Sequence, residues 1–72
     1  MKPGDLVKNL YDWDVPVYEK IHGIMAFNWN TIDLGMILNW EYSTTDIPYV
    51  QVLFSSGIVG WVRYDKVRIL HR

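Results

Sequence analysis

Leu34-Gly35-Met36-Ile37-Leu38-Asn39-Trp40-Glu41-Tyr42 is the stretch whose reading decides the fold class. In an extended chain, Leu34, Met36, Leu38, Trp40 and Tyr42 fall on one face. Gly35, Asn39 and Glu41, with Ser43 beyond them, fall on the other. Only Ile37 breaks the polar face. A helix would gather Leu34, Leu38 and Glu41 on one side, a poorer division. The stretch therefore predicts a strand whose even-numbered residues form its apolar face.

Further strand signals lie on both sides. Downstream, Ser43 to Pro48 reads as a loop, and Tyr49 to Phe54 is β-rich with Gln51 its only polar member. Ser55-Ser56-Gly57 makes a tight connection, Gly57 suiting positive φ. Ile58 to Arg63 pairs back as the second arm. Tyr64-Asp65-Lys66 is long enough for one turn only, and Val67 to Leu70 is a last strand. Upstream, Pro3-Gly4-Asp5 turns into a first strand, Leu6 to Leu10. Asp12, Asp14 and Pro16 make Tyr11 to Val17 a loop. Ile21, Gly23, Met25, Phe27 and Trp29 then alternate with His22, Ile24, Ala26 and Asn28, which predicts a strand ending in turn chemistry at Asn28 to Thr31. No stretch carries the helical period over ten or more residues. Many short strands with turns between them predict a small barrel or sandwich, and closure of a barrel would remove the edges that make open sheets adhesive.

The chain of 72 residues makes one domain. A domain of this size buries about 60% of the surface its unfolded chain exposes, so its stability is modest. There is no cysteine, which removes disulfides and thiolate zinc sites. The net charge of -1 argues against a dedicated nucleic-acid binder. Arg63, Lys66, Arg68 and Arg72 read as a solvated edge rather than a phosphate site. No segment reaches the roughly 18 apolar residues that span a bilayer. Met1 to Asp5 is too polar for a signal peptide, so the expectation is a soluble protein, intracellular when made.

The order of the strand signals resembles that of SH3-like barrels. Gly4-Asp5-Leu6-Val7 looks like the start of the first strand, and Gly35-Met36-Ile37-Leu38 like the start of the second barrel strand. Val50 to Phe54, Ser55-Ser56-Gly57 and Gly60-Trp61-Val62 resemble the central hairpin. Tyr64-Asp65-Lys66-Val67 falls where such folds place a 3₁₀ turn. The set over residues 4–10 and 34–70 is similar to the short SH3-like proteins of tailed bacteriophages. It implies an all-β domain spanning 1–72: a small five-stranded SH3-like barrel whose enlarged first loop, residues 11–33, forms an extra hairpin. It also implies a site of action in the host cytoplasm or the virion. Leu10-Tyr11-Asp12-Trp13 looks like the Ala-Leu-Tyr-Asp-Tyr signature of peptide-binding SH3 domains. The tandem Trp and the Pro before the final turn are missing, which argues against a polyproline groove.

Catalysis finds few candidates. His22 and His71 are far apart, Asp12, Asp14 and Glu19 read as a solvated acidic loop, and Ser43, Ser55 and Ser56 as turn residues. Gly57 and Gly60 read as hairpin and strand-crowding residues rather than a phosphate loop. No enzyme, cofactor or metal is expected. The unusual feature is four Trp, five Tyr and two Phe, more rings than so small a core can cover. Trp40 and Trp61 are expected in the core or partly in it. Tyr11, Trp13, Tyr18, Phe27, Trp29, Tyr42 and Tyr49 are the candidate protein-binding residues. The leading expectation is a non-enzymatic interaction module, a minor structural component of a tailed-phage particle. The alternatives are an accessory protein that modulates a host factor and a small barrel binding single-stranded nucleic acid. Homo-oligomerisation stays open.

Overall fold

The computed structural model describes residues 2–20, 23–42 and 47–70. They form β1 (Leu6–Asn9), β2 (Val15–Tyr18), β3 (Met25–Trp29), β4 (Leu34–Tyr42), β5 (Pro48–Phe54), β6 (Val59–Arg63), a 3₁₀ turn at Tyr64–Lys66 and β7 (Val67–Ile69). One antiparallel sheet joins them in the order β3-β2-β6-β5-β4-β1-β7 and curls into a half-barrel. The domain is thus all-β, but it has seven strands where five were expected. The sheet also keeps two edges, β3 and β7, so the expected closure is incomplete. No helix of the described residues is long and apolar enough to cross a membrane.

The extra strands come from residues 11–33. Val15, Pro16 and Val17, expected as the end of a loop because of Asp12, Asp14 and Pro16, belong to β2. Proline is tolerated there because β6 pairs with β2 only at Tyr18↔Trp61, leaving Pro16 opposite Asn28 of β3 alone. The β2–β3 hairpin lies on the core: Val15, Val17 and Trp29 are all buried among Val7, Ile37, Val50, Val52, Phe54, Val62 and Val67. A hairpin of two strands is marginal alone, and burial of its apolar face supplies what it lacks. Of the expected alternation before β3, Ile21 and His22 lie outside the described residues. A shift of register between Val17 and Tyr18 sets Met25 opposite Tyr18 and leaves Met25 exposed.

As far as Leu38, the face of β4 is the reverse of the sequence expectation. Gly35 pairs with Phe54 and Ile37 with Val52, and these odd-numbered residues point inward. Gly35 must lack a side chain, because a Cβ there would overlap Val52 Cγ1. Leu34 and Met36 therefore face outward. Leu38 is a bulge residue between Ile37 and Asn39; it shifts the parity, so Trp40 sits opposite Val50. Trp40 remains 45% exposed at the rim rather than in the core. Trp61 is also outside the core: Gly60 and Val62 take the inner positions of β6, and Trp61 is half-buried between Gln51 and Tyr18. Gly57 closes the β5–β6 hairpin with φ of 90°.

Candidate functional site

The aromatic residues divide according to whether the half-barrel absorbs them. Trp29 is absorbed completely, with 0% exposure. Its indole packs edge-on to Phe54 at 5.0 Å, and its Nε1–H donates to the Asp33 carbonyl at 2.9 Å. Asn30 shapes that turn, its Oδ1 accepting from the backbone N–H groups of Ile32 and Asp33. Phe27 is partly buried, edge-on to Phe54 at 4.8 Å. Trp29 therefore cannot serve as a surface anchor, and Phe27 serves mainly the core. Tyr18 is half-buried opposite Trp61, on the outer side of the sheet. The side chain of Tyr42 lies outside the described residues.

Tyr11, Trp13 and Tyr49 gather at one corner, where the loop after β1 meets the 3₁₀ turn. The Leu10 N–H donates to the Lys66 carbonyl at 3.0 Å and draws the loop against that turn. Tyr11 and Trp13 stack, with ring centroids 4.7 Å apart and planes 17° from parallel. Lys66 Nζ stands over the Tyr11 ring, 4.9 Å from its centroid, a cation–π contact. Tyr49 lies opposite Arg63 across β5 and β6. The Arg63 guanidinium makes a two-point contact with Asp65, Nη2 to Oδ2 at 2.8 Å and Nε to Oδ1 at 3.1 Å. Asp65 raises the Arg63 pKa above its ordinary value, and Tyr49 and Tyr11 add smaller effects of the same sign. The corner therefore combines three rings with two cations.

Asn9 fixes this corner and was not singled out from the sequence. It shares the inner face of β1 with Val7 and is 1% exposed. Its Nδ2 donates to the carbonyls of Trp13 at 2.8 Å and Trp29 at 2.9 Å, and its Oδ1 accepts from the Tyr11 N–H at 2.8 Å. One buried amide thus joins β1, the aromatic loop and the end of β3. The signal was available: Val7 and Asn9 fall two residues apart on the inward side of a strand, where an unpaired polar group would be costly. Trp13 is held through its backbone, yet its side chain is 62% exposed.

No three Asp, Glu or His side chains converge as metal ligands among the described residues. Asp12, Asp14 and Glu19 are each exposed, and Ser55 and Ser56 lie in the turn after β5. His22, His71, Ser43 and Arg72 are outside the described residues. The corner can therefore stack, donate hydrogen bonds and attract carboxylates. No protein family, curated protein or solved structure matches this chain.

Proposed function

We propose that this domain is a non-enzymatic protein-binding module of the SH3-like type, with Trp13, stacked on Tyr11, as its principal anchor. The observation that carries this reading is a large ring that is both exposed and held in place. The Asn9 amide fixes the backbone on either side of it, the Tyr11 ring supports it, and Lys66 and Arg63 flank that support. A preorganised aromatic side chain loses little freedom on binding, so more of its contact energy appears as affinity. Rings and arginines also dominate the energetic centres of protein interfaces. On this reading, the sequence's resemblance to small tailed-phage proteins favours a phage structural protein as the partner and the particle as the place of action.

The test has two arms. Mass spectrometry of purified particles should find the protein at reproducible copy number, and its absence removes the structural role. Quantitative capture with wild-type and Trp13→Ala baits should then return one particle protein with the first and lose it with the second. Equal recovery by both baits would remove Trp13 as the anchor, and a host protein as the specific prey would favour the accessory reading.

A further inference from the structure

The outer face of the sheet carries a second surface that shares no residue with the aromatic corner. The strand register sets Leu6 opposite Met36, Met36 opposite Leu53 and Leu53 opposite Val59. These four residues form an apolar row across β1, β4, β5 and β6, opposite in direction to the core residues between them. Leu6 is 51% and Val59 43% exposed. Where Leu6, Leu34, Met36 and Leu53 meet there is an open depression of about 230 Å³. The neighbouring row is different. Lys8 stands opposite both Leu34 and Arg68, so two cations lie side by side on β1 and β7. Like charges directly opposite across strands repel, and neither makes an ion pair among the described residues.

We infer that this face binds an extended, acidic segment of a protein partner, with one aliphatic side chain in the depression and carboxylates on Lys8 and Arg68. Volume decides against a small-molecule ligand: the depression is smaller than the roughly 300–1,000 Å³ of a drug-sized site, and it suits one side chain. Charge decides against two other partners. Lipid-binding basic patches typically gather about 4–8 Lys or Arg, and nucleic-acid sites neutralise several phosphates; two cations in a domain of net charge -1 fall short of both. Two cations do match one or two carboxylates, whose binding would relieve the Lys8–Arg68 repulsion. The spacing fits an extended chain. Neighbouring strands lie about 4.8 Å apart, and same-side residues of an extended peptide about 6.8 Å apart, so long basic side chains can reach alternate residues beyond the anchored one.

The probe is the acetylated, amidated peptide Ser-Leu-Ser-Asp-Ser-Asp-Ser, titrated into the amide-resolved NMR spectrum of the whole chain, beside its counterpart with Lys in place of Asp. The acidic peptide should shift the amides of Leu6, Leu34, Met36 and Leu53 and bind about tenfold more tightly than the basic one. The Lys8→Glu, Arg68→Glu double variant should reverse that preference, while Trp13→Ala leaves it unchanged. If the reversed pair disturbs the fold, Lys8→Gln with Arg68→Gln should make the two peptides equal. Equal binding of both peptides to the wild type would overturn the inference. So would silence up to millimolar peptide, shifts confined to the Tyr11–Trp13 corner, or tighter binding to anionic vesicles or single-stranded DNA than to the acidic peptide.

Discussion

Replacing Asn9 by Ala should be costly, because its amide is 1% exposed and makes three hydrogen bonds. The substitution removes the hydrogen bonds to the Trp13 and Trp29 carbonyls and from the Tyr11 N–H. Each is worth about 0.5–1.5 kcal/mol net, and a partner left buried and unpaired costs about 1–3 kcal/mol. The bond to Trp29 is fully buried, whereas those to Tyr11 and Trp13 are only partly so and water can replace them in part. The expected loss is therefore about 2–4 kcal/mol. A chain of this length has about 4–11 kcal/mol in total, so the variant stands near the limit of folding. Tryptophan fluorescence in urea measures it: with a slope of about 1 kcal/mol/M, the midpoint should fall by about 2–4 M. Asn9→Asp separates hydrogen bonding from shape. It keeps an acceptor for the Tyr11 N–H but turns an oxygen toward two carbonyl oxygens and buries a charge at neutral pH. It should be at least as damaging as Ala. Amide exchange in residues 10–14 should quicken more than in β5 and β6, because the loop loses its tether first. A loss under about 0.5 kcal/mol for Asn9→Ala, within the range of ordinary surface changes, would refute the assignment of Asn9 as the clasp between β1, the aromatic loop and β3.

Three further outcomes follow from the same packing. Gly60→Ala places a Cβ into Val17 Cγ1 and within 3.2 Å of the Tyr18 carbonyl; it should cost about 1–3 kcal/mol. Adding Val17→Ala should relieve part of that, so a denaturation cycle should give a double-variant loss below the sum of the singles. Trp29→Ala empties the largest buried side chain and should cost about 3–5 kcal/mol, leaving calorimetry with little or no cooperative transition. Trp13→Ala should change the urea midpoint little, because most of the ring is already in water, while abolishing retention of the proposed particle partner; a large fall in stability would instead make Trp13 a structural residue.

The sequence made β1, β5, β6 and β7 legible because each is short, rich in β-forming residues and bounded by turn residues. Val50, Val52 and Phe54 on one face of β5 and Gly60 and Val62 on β6 carry the core as their spacing implies. β2 was hidden by Pro16, since composition cannot say whether the N–H at that position has a partner to lose. The alternation identifies β4 as a strand but assigns its faces the wrong way round as far as Leu38. Leu34, Met36 and Leu38 outweighed Gly35 and Ile37 in hydrophobicity, yet cross-strand geometry placed Gly35 and Ile37 inward, against Phe54 and Val52. Hydrophobic alternation assumes that only one face of a strand is apolar; here the outer face is apolar too. The bulge at Leu38 then breaks the period within the strand, a change of parity with no glycine or proline to announce it. Of the aromatic residues, loop position identified Tyr11 and Trp13; Trp29 fell on one face of a predicted strand, but that alternation does not say whether the face packs on the barrel or on a partner. The burial of Trp29 depends on Phe54, which lies 25 residues further along the chain.

The strand alternation of β1 also determines how the two proposed surfaces relate. Asn9 points inward, where it holds Tyr11 and Trp13; Lys8, its neighbour, points outward beside Leu34. Adjacent residues of one strand thus serve opposite sides of the sheet. A charge change at Lys8 alters no contact of the Asn9 amide, and truncation of Trp13 alters no side chain around Leu6, Leu34, Met36 and Leu53. The effects of the two perturbations should therefore add within about 0.5 kcal/mol, as they do for sites without shared partners. Loss of Asn9 is different in kind, because it loosens the backbone of β1 itself: it should weaken the aromatic corner first and the outer face only when the strand separates from β4 and β7. An Asn9 variant that loses both surfaces in parallel with global unfolding, and a Trp13 variant that loses one alone, together distinguish a shared scaffold from a shared site.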